Sequence, residues 1–180
     1  MYEKEIEIPE GLDVEISKTV VRVSGEKGRL QREFKGIFGI KIEKSADGKK
    51  VKVSSESDDR KTKAKIGSII AHIRNMIHGL TEGYTATLKV IYSHFPATIK
   101  VEAGRVLIQN FLGEKTPRVA KIVGDDTKVE VKGADITITG TDIEAVGQTA
   151  ANLEQATKIK AHDRKVFQDG IYITEKPRGK

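Results

Sequence analysis

The chain has 180 residues, no cysteine and no tryptophan, which rules out disulfides and thiolate metal centres and leaves only a modest, aliphatic core. Lysine and arginine number 32 against 26 acids, a formal charge of +6, and such an excess suits a polyanion, either nucleic acid or an acidic membrane face. The opening stretch, MYEKEIEIPEGLDVE, is acidic where a signal peptide is basic, and no apolar run approaches bilayer-spanning length, so the expectation is a soluble cytoplasmic protein.

In chain order, the segments EIEI, LDVEI, VVRVSG, GRLQREF, FGIKIEK and KVKVSS alternate apolar and polar residues, which predicts strands with GEKG and ADGKK as turns. A helix follows over residues 58–78, where Ile66, Ile69, Ile70, Ile73 and Ile77 fall on one face. Ser57 or Asp58 is placed to cap it and Gly79 to end it. Its polar side carries Arg60, Lys61, Lys63, Lys65 and Arg74, which fits either a solvated face or a row of phosphate contacts.

The second half repeats this order. YTATLKVIY, TIKVEAG, RVLIQNF, PRVAKIV, KVEVKG and DITITG read as strands, and a helix follows over 142–159. There Ile143, Val146, Ala150, Leu153 and Ala156 make the apolar face, and Thr141 with Glu144 has the spacing of a capping box. VVRVSGEK (20–27) lines up with IQNFLGEK (108–115), and Pro9 with Pro96. Ile66-Gly67, Ala71 and Ile73 match Val146-Gly147, Ala151 and Leu153 at an offset of 80. The pattern predicts an α+β protein of two similar tandem domains, 1–80 and 81–180, each an antiparallel or mixed sheet covered by one helix.

Charge follows its own division: residues 1–15 carry −5, 16–80 carry +9, 81–157 carry −2 and 158–180 carry +4. The basic end, KIKAHDRKVFQDGIYITEKPRGK, is not a plain frayed terminus, because Val166, Phe167, Ile171, Tyr172 and Ile173 lie inside it as apolar anchors. Asp169-Gly170 reads as a turn between the two apolar runs. An anchored tail can hold Lys158, Lys160, Arg164, Lys165, Lys176 and Arg178 in fixed positions, as recognition of a folded RNA requires. A second candidate surface is QNFLGEKTPR (109–118), where Asn110, Gly113, Lys115 and Arg118 stand in an expected loop.

Other chemistry finds little support. His72, His78, His94 and His162 are not spaced as joint metal ligands, and no nucleophile elbow or P-loop is present. The pairs Asp58-Asp59 and Asp125-Asp126 sit where capping and solvation account for them, so a hydrolase built on Asp125-Asp126 is remote. KGIFGIK (35–41) contains a Gly-x-x-Gly, the loop that clamps nucleic-acid backbone between two helices in KH modules. Here Gly36 and Gly39 stand among strand-like segments, which favours a turn or bulge. A free RNA-binding regulator using that loop is the alternative function.

Three segments, HIRNMIHGLTEGY (72–84), VLIQNFLGEK (106–115) and FQDGIYITEK (167–176), resemble the large-subunit ribosomal protein L-six family in its archaeal and eukaryotic-type branch. Gln155, Ile159, Phe167, Asp169, Gly170, Tyr172 and Lys176 match the C-terminal pattern, while His162 and Lys165 depart from it. The resemblance spans essentially the whole chain. It implies two duplicated α+β domains and a structural constituent of the large ribosomal subunit, working in the cytoplasm without cofactor or catalysis. Implied partners are large-subunit ribosomal RNA near the sarcin–ricin loop, neighbouring ribosomal proteins and nearby translation GTPases, with no membrane. The resemblance puts the RNA contacts first on the tail, then on the 110–118 loop, then on Arg60, Lys61, Lys63 and Arg74.

Overall fold

The structure, a computed structural model, describes residues 1–93 and 95–177, and the chain divides into two compact units, Met1–Glu82 and Gly83–Lys180. In the first, six strands precede one helix: β1 (Tyr2–Glu7), β2 (Asp13–Ser17), β3 (Val20–Gly25), β4 (Gly28–Glu33), β5 (Ile40–Lys44), β6 (Lys50–Ser55) and α1 (Arg60–Thr81). They make two three-stranded sheets, β1-β6-β5 and β2-β3-β4, with every pair antiparallel. The alternation in sequence becomes alternation in space: Val21 and Val23 are buried while Arg22 between them is exposed. The isoleucine stripe of α1 lies on strands of both sheets, joined by Met76 and Leu80.

The second unit holds β7 (Tyr84–Ile91), β8 (Thr98–Glu102), β9 (Arg105–Gln109), a 3₁₀ turn (Phe111–Gly113), β10 (Arg118–Lys121), β11 (Lys128–Lys132), β12 (Asp135–Gly140), α2 (Ile143–Ala156) and β13 (Gly170–Glu175). Its sheets are β11-β12-β7-β13 and β8-β9-β10, again antiparallel throughout. Strand order and helix placement reproduce the first unit, with β7 to β12 standing for β1 to β6 and α2 for α1. Each unit therefore holds two sheets around its helix, where the pattern alone suggested one.

Two departures from the repeat set the second unit apart. Between β3 and β4 the chain turns through Glu26-Lys27 alone, whereas between β9 and β10 residues 110–117 intervene. In addition, β13 pairs with the outer edge of β7, while the equivalent edge strand β1 has no such addition and carries Glu3, Lys4, Glu5 and Glu7. Charge on an edge discourages further strand pairing. Both departures bring chain to the same region of the second unit.

Both helix caps and one turn differ from the sequence expectation. Asp59, not Ser57 or Asp58, caps α1 by accepting from the Thr62 N–H at 3.2 Å. The helix runs through the buried Gly79 to Thr81, and Gly83 at φ +83° follows the cap, because the apolar stripe continues to Leu80. Asp142 caps α2 by accepting from Glu144 N–H, and Thr141 instead bonds Asp126. Asp169 is 1% exposed and leads straight into β13; the turn lies earlier, at Arg164–Val166, where Val166 and Phe167 N–H donate to Asp163 O.

Leu153 of α2 is fully buried in the second core. Leu153→Ala is expected to cost about 2–5 kcal/mol, the range for a large-to-small core change, measured by chemical denaturation.

Candidate nucleic-acid interface

Helix α2 is fixed before its end is used. Thr149 Oγ1 accepts from Val123 N–H and Asn152 Nδ2 donates to Lys121 O at 2.9 Å, which pins the helix beside β10. At its C-terminus the Thr157 hydroxyl faces Leu153 O and Glu154 O, each at 3.2 Å, and accepts from the buried Ile171 N–H at 2.9 Å. One hydroxyl thus joins the end of α2 to the start of β13. Between these two fixed points runs the basic segment 158–169.

Arg118 ties this segment to the loop. Its Nε and Nη2 donate to the two Glu114 carboxylate oxygens at 2.9 and 2.6 Å, a bidentate pair. Its Nη1 donates to Ala156 O and Lys158 O, both at 3.0 Å, and the guanidinium lies 4.5 Å from the Phe111 ring centroid. The bond to Ala156 O satisfies a carbonyl that the end of α2 leaves without a helical partner, and puts positive charge where the helix dipole favours it. The hydrogen bond and charge of Arg118, with a smaller contribution from His162, hold the Glu114 carboxyl below its ordinary range.

The loop itself is built tightly. Asn110 adopts φ +57° and its Nδ2 donates to Pro96 O at 3.1 Å; Gly113, at φ +74°, lies against the Phe95 ring. Asn110 and Gly113 therefore shape the loop, and Arg118 braces it. The side chain left outward is Lys115.

In the basic segment Ala161 bends the chain with a φ of +63°, a left-handed conformation rare for alanine. Asp163 then makes a local turn, its carboxylate accepting from Lys165 N–H at 3.0 Å. The Phe167 ring packs on His162, with centroids 4.7 Å apart. Tyr172 folds back so that its hydroxyl donates to Gln168 O at 3.0 Å, and a Cβ on Gly170 would come within 3.2 Å of its ring. Glycine at 170 is thus a matter of space. The run from Phe167 to Tyr172 thus folds against the basic segment through His162 and Gln168.

Lys115, Lys158, Lys160, Arg164 and Lys165 are all exposed, and none makes an ion pair with another described residue. Through Arg118 the structure brings the loop and the start of the tail together, which sequence spacing alone did not reveal. Lys176 stands apart. Pro177 next to it approaches Gly147 near the start of α2, roughly 15 Å along the helix from Thr157. Arg178 lies outside the described residues.

On α1, Arg60, Lys61 and Arg74 are exposed, while Lys63 pairs with Asp58 at 3.0 Å and sits over the Tyr2 ring. No acid stands in the first turn, so cations crowd the end of the helix where the dipole is already positive. The Gly-x-x-Gly segment joins β4 to β5, not two helices. Ile37 packs inward, Phe38 is 94% exposed, and Lys65 Nζ donates to Gly36 O at 3.0 Å. Asp126 is engaged by Thr141, and no group of three or more metal-ligating side chains occurs among the described residues.

The chain is thus a duplicated α+β protein with cations mounted on a braced loop and an anchored basic segment. Comparison with known proteins is specific. The family described as "Ribosomal protein L6" matches the chain twice, over residues 8–83 and 95–170. The chain is 52% identical to the large ribosomal subunit protein uL6 of Staphylothermus marinus, with 96% of this chain and 93% of that protein covered. It is 52% identical to the uL6 of Sulfurisphaera tokodaii over 98% of this chain and 92% of that protein, and 48% identical to the uL6 of Haloarcula marismortui over 96% and 95%. The chain belongs to the ribosomal protein L6 family, and the two matched ranges are its internal duplication.

Two outcomes test this geometry. Thr157→Val leaves the buried Ile171 N–H without an acceptor and should cost about 1–3 kcal/mol in denaturant unfolding. Because the Glu114 carboxyl is depressed in the folded state, its contribution to stability is present above the ordinary glutamate range and is lost as pH falls through the folded value. Glu114→Gln should therefore lower stability at pH 7 and reduce the loss of stability below about pH 4.3, read from thermal midpoints across pH.

Proposed function

We propose that this protein is a structural constituent of the large ribosomal subunit in the cytoplasm, binding large-subunit ribosomal RNA near the sarcin–ricin loop and the translation-factor site. It stabilises the RNA fold there and performs no chemistry. Neighbouring ribosomal proteins are further partners, and translation GTPases work nearby. The observation that carries the reading is a set of cations that make no ion pair among the described residues, Lys115, Lys158, Lys160, Arg164 and Lys165, held on backbone that Arg118, Thr157 and Asp163 fix. Fixed cations match the spacing of phosphates in one folded RNA, whereas a loose tail attracts any polyanion. Arg60, Lys61 and Arg74 on α1 form a second contact, and Lys63 contributes less because Asp58 already neutralises it. No described helix is long and apolar enough to cross a membrane.

Removing the tail outright is a poor test, because β13 is paired with β7 and Ile171 is in the core. Replacing Lys158, Lys160, Arg164 and Lys165 by Gln keeps the fold and removes the charge. The slope of log affinity against log salt for large-subunit ribosomal RNA is expected to fall by about three in magnitude. An unchanged slope would move the contact to α1.

A further inference from the structure

The basic segment does not lie flat on its support. Between the end of α2, the segment and β13 it leaves a cleft of about 350 Å³, near the lower size limit for small-ligand pockets. Lys158 and Arg164 line it as cations, Phe167 and Tyr172 as aromatic rings, and Glu154 and Gln155 as polar groups on the helix. Phosphate binding alone needs none of the last four. An acid such as Glu154 inside a phosphate site would be repulsive.

We propose that this cleft receives one unpaired nucleotide of the bound RNA, with its base among Phe167, Tyr172 and Glu154 and its phosphate on Lys158 and Arg164. The inference rests on the RNA-binding reading above and specifies what that site takes. Unstacked bases in RNA loops and bulges are held by stacking on aromatic side chains and by hydrogen bonds to their edges. Both rings line the cleft. Phe167 is backed by His162, and Tyr172 is held over Gly170 by its bond to Gln168 O while remaining 41% exposed. Glu154 is an exposed acceptor in the cleft lining, and Gln155 beside it both donates and accepts. That pairing suits a base whose edge offers N–H donors, as guanine does, and disfavours a bare phosphate. The sign of Glu154 therefore separates the two kinds of ligand.

The test titrates isotopically labelled full-length protein with guanosine monophosphate and, separately, with ribose 5-phosphate, following amide signals, and measures large-subunit ribosomal RNA binding in parallel. Guanosine monophosphate is expected to shift signals around residues 154–159 and 167–172 saturably, with ribose 5-phosphate far weaker. Tyr172→Ala should abolish those shifts and weaken RNA binding between about fivefold and a hundredfold without changing the salt slope. Glu154→Ala, on the exposed face of α2 where folding is not at stake, should weaken guanosine monophosphate binding. The inference is overturned if the two probes act alike, or if Glu154→Ala tightens the nucleotide, as a phosphate-only site requires. In either case RNA binding by the unaltered protein would leave the parent reading intact, and its absence would remove both.

Discussion

The guanidinium of Arg118 is the interaction on which the candidate surface depends. It makes four hydrogen bonds, two to Glu114 and one each to Ala156 O and Lys158 O, and covers the Phe111 ring. Those partners belong to three pieces of chain: the β9–β10 loop, the end of α2 and the first residue of the basic segment. A lysine there could keep the charge but not the planar fork that satisfies a carboxylate and two carbonyls at once. The residue expected to touch phosphate is thus occupied within the protein. Its positive charge organises the loop and the start of the basic segment.

Duplication explains why such a surface arises in one unit and not in the other. Both units use the same strand order and the same helix over two antiparallel sheets. The first unit closes its β3–β4 connection with a two-residue turn and ends at its helix. The second adds a loop at the equivalent connection and continues past its helix into the basic segment and β13. Strand β13 matters mechanically, since pairing with β7 and the Thr157–Ile171 bond anchor both ends of the segment. The braced loop and the anchored basic segment both stand where the repeat is broken.

Much of this was legible in the sequence, because period-2 and period-3.6 patterns report burial directly. Ile66, Ile73, Val146 and Leu153 are buried on the faces that their spacing predicts, and the tandem α+β arrangement follows from repeated order. Caps were read less well. Asp59 and Asp142 each sit beside another competent capping residue, and only the backbone course selects between neighbours. Asp169-Gly170 has turn composition, yet the carboxylate is buried and accepts from Ser93 Oγ at 2.9 Å, so tertiary contact overrode local preference. The nearness of Arg118 to Lys158 could not be read at all, since the two are forty residues apart and neither periodicity nor composition reports such a pairing.

The most direct measurement of the central claim is lysine acetylation footprinting of the unaltered protein, free and bound to large-subunit ribosomal RNA, read residue by residue by mass spectrometry. The account predicts strong protection at Lys115, Lys158, Lys160 and Lys165, while Lys128 and Lys132 on β11 and Lys27 in the β3–β4 turn remain reactive. Protection centred on Lys128, Lys132 or Lys27, with the loop and basic segment still reactive, would contradict it.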